Sequence, residues 1–108
     1  MKIIHGVRGT GKSTNCLAYA WMTNSMIIVS DLKRKEFLIH EAERKGYVNI
    51  QVVTISDYMS TIYVDTGGFK PKSVIIDDME DILFKIIGRD VKFATTSCEI
   101  LELGGMLK

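Results

Sequence analysis

Apolar and polar residues alternate along this chain with two different periods, and the switches between them mark out the elements. Short apolar runs read as strands at Lys2–His5 (KIIH), Met26–Ser30 (MIIVS), Asn49–Ile55 (NIQVVTI), Ser73–Ile76 (SVII) and Val91–Thr95 (VKFAT). Stretches of helical spacing lie between them. Lys12–Thr23 follows a glycine-rich turn at Gly6–Gly11. Lys33–Lys45 is charged on one side, carries Phe37, Leu38 and Ala42, and stops at Gly46, a good helix terminator. A short helix is expected from an Asp57 cap through about Val64. Met79–Ile87 has apolar residues at 79, 82, 83, 86 and 87, and Gly88 closes it. The single proline, Pro71, sits in the one clear loop cluster, Thr66–Ser73, and the tail Cys98–Lys108 is weakly patterned.

Five β-type runs alternating with four helical runs predict an α/β fold. The expected architecture has three layers, a five-stranded, mainly parallel sheet with helices on both faces. In such sheets the ligand site lies at the carboxyl ends of the strands. The 108 residues contain no repeat, linker or low-complexity run, so 1–108 reads as a single domain.

Composition narrows the partners. Lys plus Arg total 14 against 13 Asp plus Glu, and a net charge of +1 argues against purely electrostatic binding to nucleic acid or membrane. Lys33-Arg34-Lys35 is nevertheless a local basic cluster. The longest apolar stretch, Leu17–Val29, is interrupted by Thr23, Asn24 and Ser25 and is too short and polar to span a bilayer. The chain enters its first strand at once, without the pattern of a secretory signal. Cys16 and Cys98 are too few for a disulfide framework and are expected to stay reduced, as in a cytoplasm. His5 and His40 form no zinc-type spacing with them.

The strongest chemical signal is Gly6-Val7-Arg8-Gly9-Thr10-Gly11-Lys12-Ser13, which fits G-x-x-x-x-G-K-[ST] at every fixed position, between a strand and a helix. Glycines let the backbone fold tightly and turn its N–H groups toward phosphate oxygens. The positive end of the following helix adds to that field. Lys12 would reach the β- and γ-phosphates, the Ser13 hydroxyl would ligate Mg²⁺, and Thr14 extends the nucleotide-binding run. The alternative is a glycine-rich turn that binds nothing. Val74-Ile75-Ile76-Asp77-Asp78 is an apolar strand ending in two acids. Asp77 is placed to hold Mg²⁺ and Asp78 to polarise an attacking water. Both acids also suit the start of the helix from Met79, whose first turn carries Glu80 and Asp81. The hydroxyls of Thr95-Thr96-Ser97 would end the next strand beside these acids, Thr96 sensing the γ-phosphate, or be ordinary strand-end polar residues.

This arrangement resembles a P-loop NTPase of the additional-strand class. Lys2–Ser97 is similar to the first RecA-like domain of superfamily 1 and 2 helicases and translocases. Ile28–Asp31 resembles their segment Ia, Val53–Tyr58 segment Ib, Val74–Asp78 segment II and Phe93–Ser97 segment III. The resemblance implies ATP and Mg²⁺ as ligands, a further strand between the phosphate-loop strand and the acidic strand, and nucleic-acid backbone contacts from Ser30, Lys33, Thr54 and Ser56. It implies Lys12, Asp78 and Thr96 as the catalytic residues. Two departures stand out. The family usually has Glu where this chain has Asp78, and its second RecA-like domain is missing.

Developing charge on a γ-phosphate is usually met by an arginine. The candidates are Arg8, Arg34, Arg44 and Arg89, of which Arg44 and Arg89 would act only in trans, from a second subunit or a homo-oligomer. The leading expectation is a Mg-ATP-dependent ATPase working as a helicase- or translocase-like half. The alternative is a nucleotide-dependent interaction module, a loader, regulator or inhibitor of a larger replication ATPase with little turnover of its own. A small-molecule kinase ranks last, because Asp57–Phe69 offers no arginine for a lid.

Overall fold

Strand β2 (Met26–Val29) is flanked by parallel partners on both sides in the computed structural model of the chain, which describes residues 2–5, 12–60 and 73–102. On one side lies β3 (Gln51–Thr54), with Met26 opposite Gln51 and Val29 opposite Thr54. On the other lies β4 (Val74–Ile76), with Met26 opposite Val74 and Ile28 opposite Ile76. Strand β1 (Lys2–His5) pairs in parallel with β5 (Glu99–Glu102) in a separate two-stranded sheet.

The period of two along β2 sorts its side chains between two cores. Ile27 and Val29 face one side, with Leu17 and Ala20 of α1 (Lys12–Thr23), Leu38 and Ala42 of α2 (Leu32–Lys45), and Val52. Met26 and Ile28 face the other, with Val53, Ile55 of α3 (Ile55–Tyr58) and Ile82 of α4 (Met79–Ile87). Helices therefore cover both faces of a small three-stranded parallel sheet, and the fold is α/β. Each large side chain so buried contributes roughly 1.5–3 kcal/mol, so β2 is the best-anchored element.

Local signals set most of the element ends. Asp31 caps α2 by accepting from the Arg34 N–H at 2.9 Å. Gly46 and Gly88 close α2 and α4 in the left-handed region, both at φ 78°. Thr54, not Asp57, caps α3: its Oγ1 accepts from the Asp57 N–H at 3.1 Å. That helix starts at Ile55 and ends at Tyr58, Met59 and Ser60 leave it as a turn rather than continuing the expected helix, and the last part of the expected span, 61–64, lies outside the described residues.

The expected single five-stranded sheet needs correction. Among the described residues it is a three-stranded and a two-stranded sheet, and the fifth strand is Glu99–Glu102 rather than Val91–Thr95. Residues 91–97 form no regular element and are exposed, Phe93 at 84%. β-type composition makes a strand only where pairing and burial of the side chains support it, and the partner of β1 is β5 rather than 91–97, whose side chains stay exposed. The tail is accordingly ordered into a strand over its first residues. Among the described residues no helix is long and apolar enough to cross a membrane.

Candidate functional site

Strands β2, β3 and β4 run in parallel, so their carboxyl ends share one edge of the sheet, and three polar side chains are buried there: Ser30, Thr54 and Asp77. Asp77 is the deepest, at 2% exposure. Its N–H donates to the Ile28 carbonyl at 3.0 Å, which carries the β4 ladder one residue further and fixes the carboxylate beside the end of β2.

Two side chains from different helices meet that carboxylate. Arg34, in the first turn of α2, donates from Nε to Oδ2 at 2.9 Å. Cys16, on the buried face of α1, approaches Oδ1 with its Sγ at 3.9 Å. Burial first, then the charge of Asp77 and its hydrogen bond, push the Cys16 thiol up to about 12, against the opposing pull of Arg34. Cys16 stands one helical turn after position 13, so the start of α1, where Lys12 and Ser13 lie, and the end of β4 are brought to the same region.

Asp78 has a different task from its neighbour. It sits in the left-handed region at φ 67° and accepts from the Asp81 N–H at 3.4 Å as the cap of α4. The helix-capping reading therefore holds for Asp78, whereas Asp77 turns into the core. Asp78 is also the main cause that raises the Asp81 carboxyl, followed by burial, a hydrogen bond and Asp31, while Arg34 lowers it. Arg34 thus acts on two of these carboxylates, Asp77 through a direct hydrogen bond and Asp81 through its charge.

The remaining expected residues separate. Gly6, Val7, Arg8, Gly9, Thr10 and Gly11 lie outside the described residues. Lys12 opens α1 and Thr14 is exposed on it. Ser30, Thr54 and Ser56 line one cleft of ≈ 340 Å³ with Asp31, Leu32, Asp57 and Lys85. Ser30 and Thr54 are each 8% exposed, and Thr54 is engaged as a cap, whereas Lys33 and Ser56 are exposed. Thr96 does not end a strand beside the acids. It lies in the exposed segment after α4, where its Oγ1 accepts from the Cys98 N–H at 3.1 Å and donates to the Cys98 Sγ at 2.9 Å. Arg44 is paired with Glu41 on the surface of α2 at 2.9 Å, and Arg89 is exposed after Gly88. A larger cavity of ≈ 400 Å³, lined by Tyr47, Val48 and Ile50 among others, lies at the opposite end of β3.

Among the described residues no three His, Cys, Asp or Glu side chains converge enough to hold a metal by themselves. Mg²⁺ is a hard ion commonly held through one or two carboxylates together with phosphate oxygens. Asp77 provides such an oxygen donor, already charge-balanced by Arg34. The sequence reading assigned Asp77 its place but missed both its partners. The signal for Arg34 was present: three positive charges at a helix N-terminus oppose the helix dipole and need a local acid. Comparison with protein-family models, with curated proteins and with solved structures finds no match to this chain.

Proposed function

We propose that this chain is a Mg-ATP-binding P-loop ATPase domain of the RecA-like type, acting in nucleic-acid transactions as a helicase- or translocase-like half. One observation supports the reading above the others. The first turns of α1, which continue the Gly6–Ser13 motif, meet the acidic end of β4 through the Cys16–Asp77 contact, across 61 residues of sequence. A phosphate-binding turn and an acid at a strand's carboxyl end become useful together when they face the same ligand.

In this reading the backbone N–H groups of Gly6–Gly11 and the Lys12 ammonium hold the phosphates. Ser13 and Asp77 would hold Mg²⁺, which supplies charge neutralisation on the β- and γ-phosphates. Asp78 orients the attacking water while its second oxygen keeps the α4 cap.

The second reading, a nucleotide-dependent interaction module with little turnover, is favoured by the same Asp78. A carboxylate committed to capping α4 is a poor general base. Phosphate release from ATP, with and without single-stranded DNA, separates the two. Turnover that disappears in Lys12→Ala supports the ATPase. Nucleotide binding without turnover supports the module, and no nucleotide binding at all removes both.

A further inference from the structure

Asp77 has its charge balanced from within the chain, and the balancing group is built to leave. Arg34 engages it through Nε alone, one hydrogen bond to Oδ2, rather than through the two-pronged geometry that makes arginine–carboxylate pairs most persistent. The Arg34 side chain is 37% exposed, while Asp77 is 2% exposed. One partner is therefore fixed in the core and the other stands at the rim. The guanidinium also lies 5.9 Å from the centre of the half-exposed Phe37 ring, on the same helix one turn on, a contact that does not depend on the carboxylate. Among the described residues, the second oxygen of Asp77 meets the weak thiol donor of Cys16, at 3.9 Å.

We propose that Arg34 is a positioning residue for Asp77 that doubles as a resident competitor for the divalent cation: it holds the carboxylate aimed and charge-balanced in the empty domain, and yields it when Mg²⁺ arrives with nucleotide. The inference rests on the nucleotide-binding reading above. Its physical basis is that a buried carboxylate stays ionised only with a counter-charge, and that a guanidinium and a divalent cation cannot share one carboxylate without mutual repulsion. The surrounding acids make the exchange feasible. Asp78 follows Asp77 directly in the chain and caps the next helix through the Asp81 N–H, so two further carboxylates, Asp78 and Asp81, lie close in sequence to the one that would be exchanged. The Arg34 backbone need not move, because its N–H stays bonded to Asp31 at 2.9 Å.

The test titrates Mg²⁺ against binding of a fluorescent ATP analogue for wild type, Arg34→Gln, Arg34→Lys and Asp77→Asn, with thermal melting of each in Mg²⁺ alone. The expected result is that Arg34→Gln melts lower than wild type without Mg²⁺ and regains more of its stability on Mg²⁺ addition. It should also need about tenfold less Mg²⁺ for half-maximal nucleotide binding, the size of one charge-assisted hydrogen bond removed from the competition. Arg34→Lys should fall between the two, and it carries the test if Arg34→Gln does not fold. Asp77→Asn should lose the Mg²⁺ dependence. A purely structural Arg34 would lower the melting temperature without altering the Mg²⁺ requirement, and that result overturns the inference while leaving the nucleotide reading intact. If wild type and variants alike fail to bind the analogue, the nucleotide reading falls and the inference with it.

Discussion

Cys16 Sγ lies 3.9 Å from Asp77 Oδ1, joining the buried face of α1 to the carboxyl end of β4. The contact places a thiol next to a buried carboxylate, and the thiol is held protonated, pushed up to about 12. The thiolate is the nucleophile, so Cys16 should be inert at neutral pH. A thiol-reactive disulfide reagent is expected to modify no more than one thiol per chain, Cys98, in the native state, and both in denaturant. Fast native modification of Cys16 would mean that α1 and β4 do not meet as described.

The burial of Cys16, reinforced by Asp77, has a pH signature. Cys16 titrates at an ordinary 9.0 when unfolded and at about 12 when folded, so above pH 9.0 the unfolded chain binds fewer protons than the native one. Stability from this group is complete below 9.0 and is lost as pH rises toward 12, with a limiting slope of about 1.4 kcal/mol per pH unit. Urea unfolding between pH 8 and 11 should show wild type losing stability faster than Cys16→Ala. Parallel pH profiles for the two proteins would remove the assignment.

Asp78 combines a cap with a left-handed backbone, and substitution separates these from any chemistry. Asparagine tolerates that conformation and caps comparably, so Asp78→Asn should stay within about 0.5 kcal/mol of wild type in urea unfolding. Asp78→Ala loses the cap and strains the backbone at φ 67°, which should cost about 2 kcal/mol. If Asp78 also orients water, Asp78→Asn should lower ATP turnover by roughly 10²–10⁴ with its stability kept. Equal turnover in wild type and Asp78→Asn would leave Asp78 as a cap.

Features encoded locally could be read from the sequence. Leu17 and Ala20, Leu38 and Ala42, and Ile82 stand at helical spacing and are buried as that spacing implies. Gly46 and Gly88 end their helices because glycine accepts the left-handed backbone cheaply. Thr54 and Asp57 are both good caps three residues apart, and packing of Ile55 into the core decides for Thr54. Val91–Thr95 misled because its composition suits a strand but says nothing of which edge is free. Glu99–Glu102 was hidden because Glu-Ile-Leu-Glu lacks alternation, and its strand exists through pairing with β1, almost the whole chain away. The Arg34–Asp77 pair is likewise non-local, spanning 43 residues.

Two substitutions separate backbone from packing as sources of stability. Gly46 has φ 78° and nothing within 4 Å of an added Cβ, so Gly46→Ala suffers backbone strain alone, about 1–2 kcal/mol. Gly46→Asn should cost less. Leu38 is fully buried between α2 and the sheet, and Leu38→Ala should cost about 2–5 kcal/mol through the cavity it leaves. Urea midpoints that rank Gly46→Ala as the worse of the two would contradict the burial of Leu38.

Exposure ranks the expected nucleic-acid contacts, Lys33 on α2 ahead of the strand ends. Ser30 and Thr54 are buried, whereas Lys33 is exposed in the first turn of α2, next to the Arg34 that is held by Asp77. A phosphate contact at Lys33 would release about one counterion. Lys33→Ala should therefore weaken single-stranded DNA binding and flatten the salt dependence of log Kobs by roughly 0.7. Ser30→Ala should change stability while leaving that slope as it was. The opposite ranking, with Ser30→Ala reducing the slope and Lys33→Ala leaving it unchanged, would move the contact back to the strand ends and require the cleft between β2 and β3 to open when nucleic acid binds.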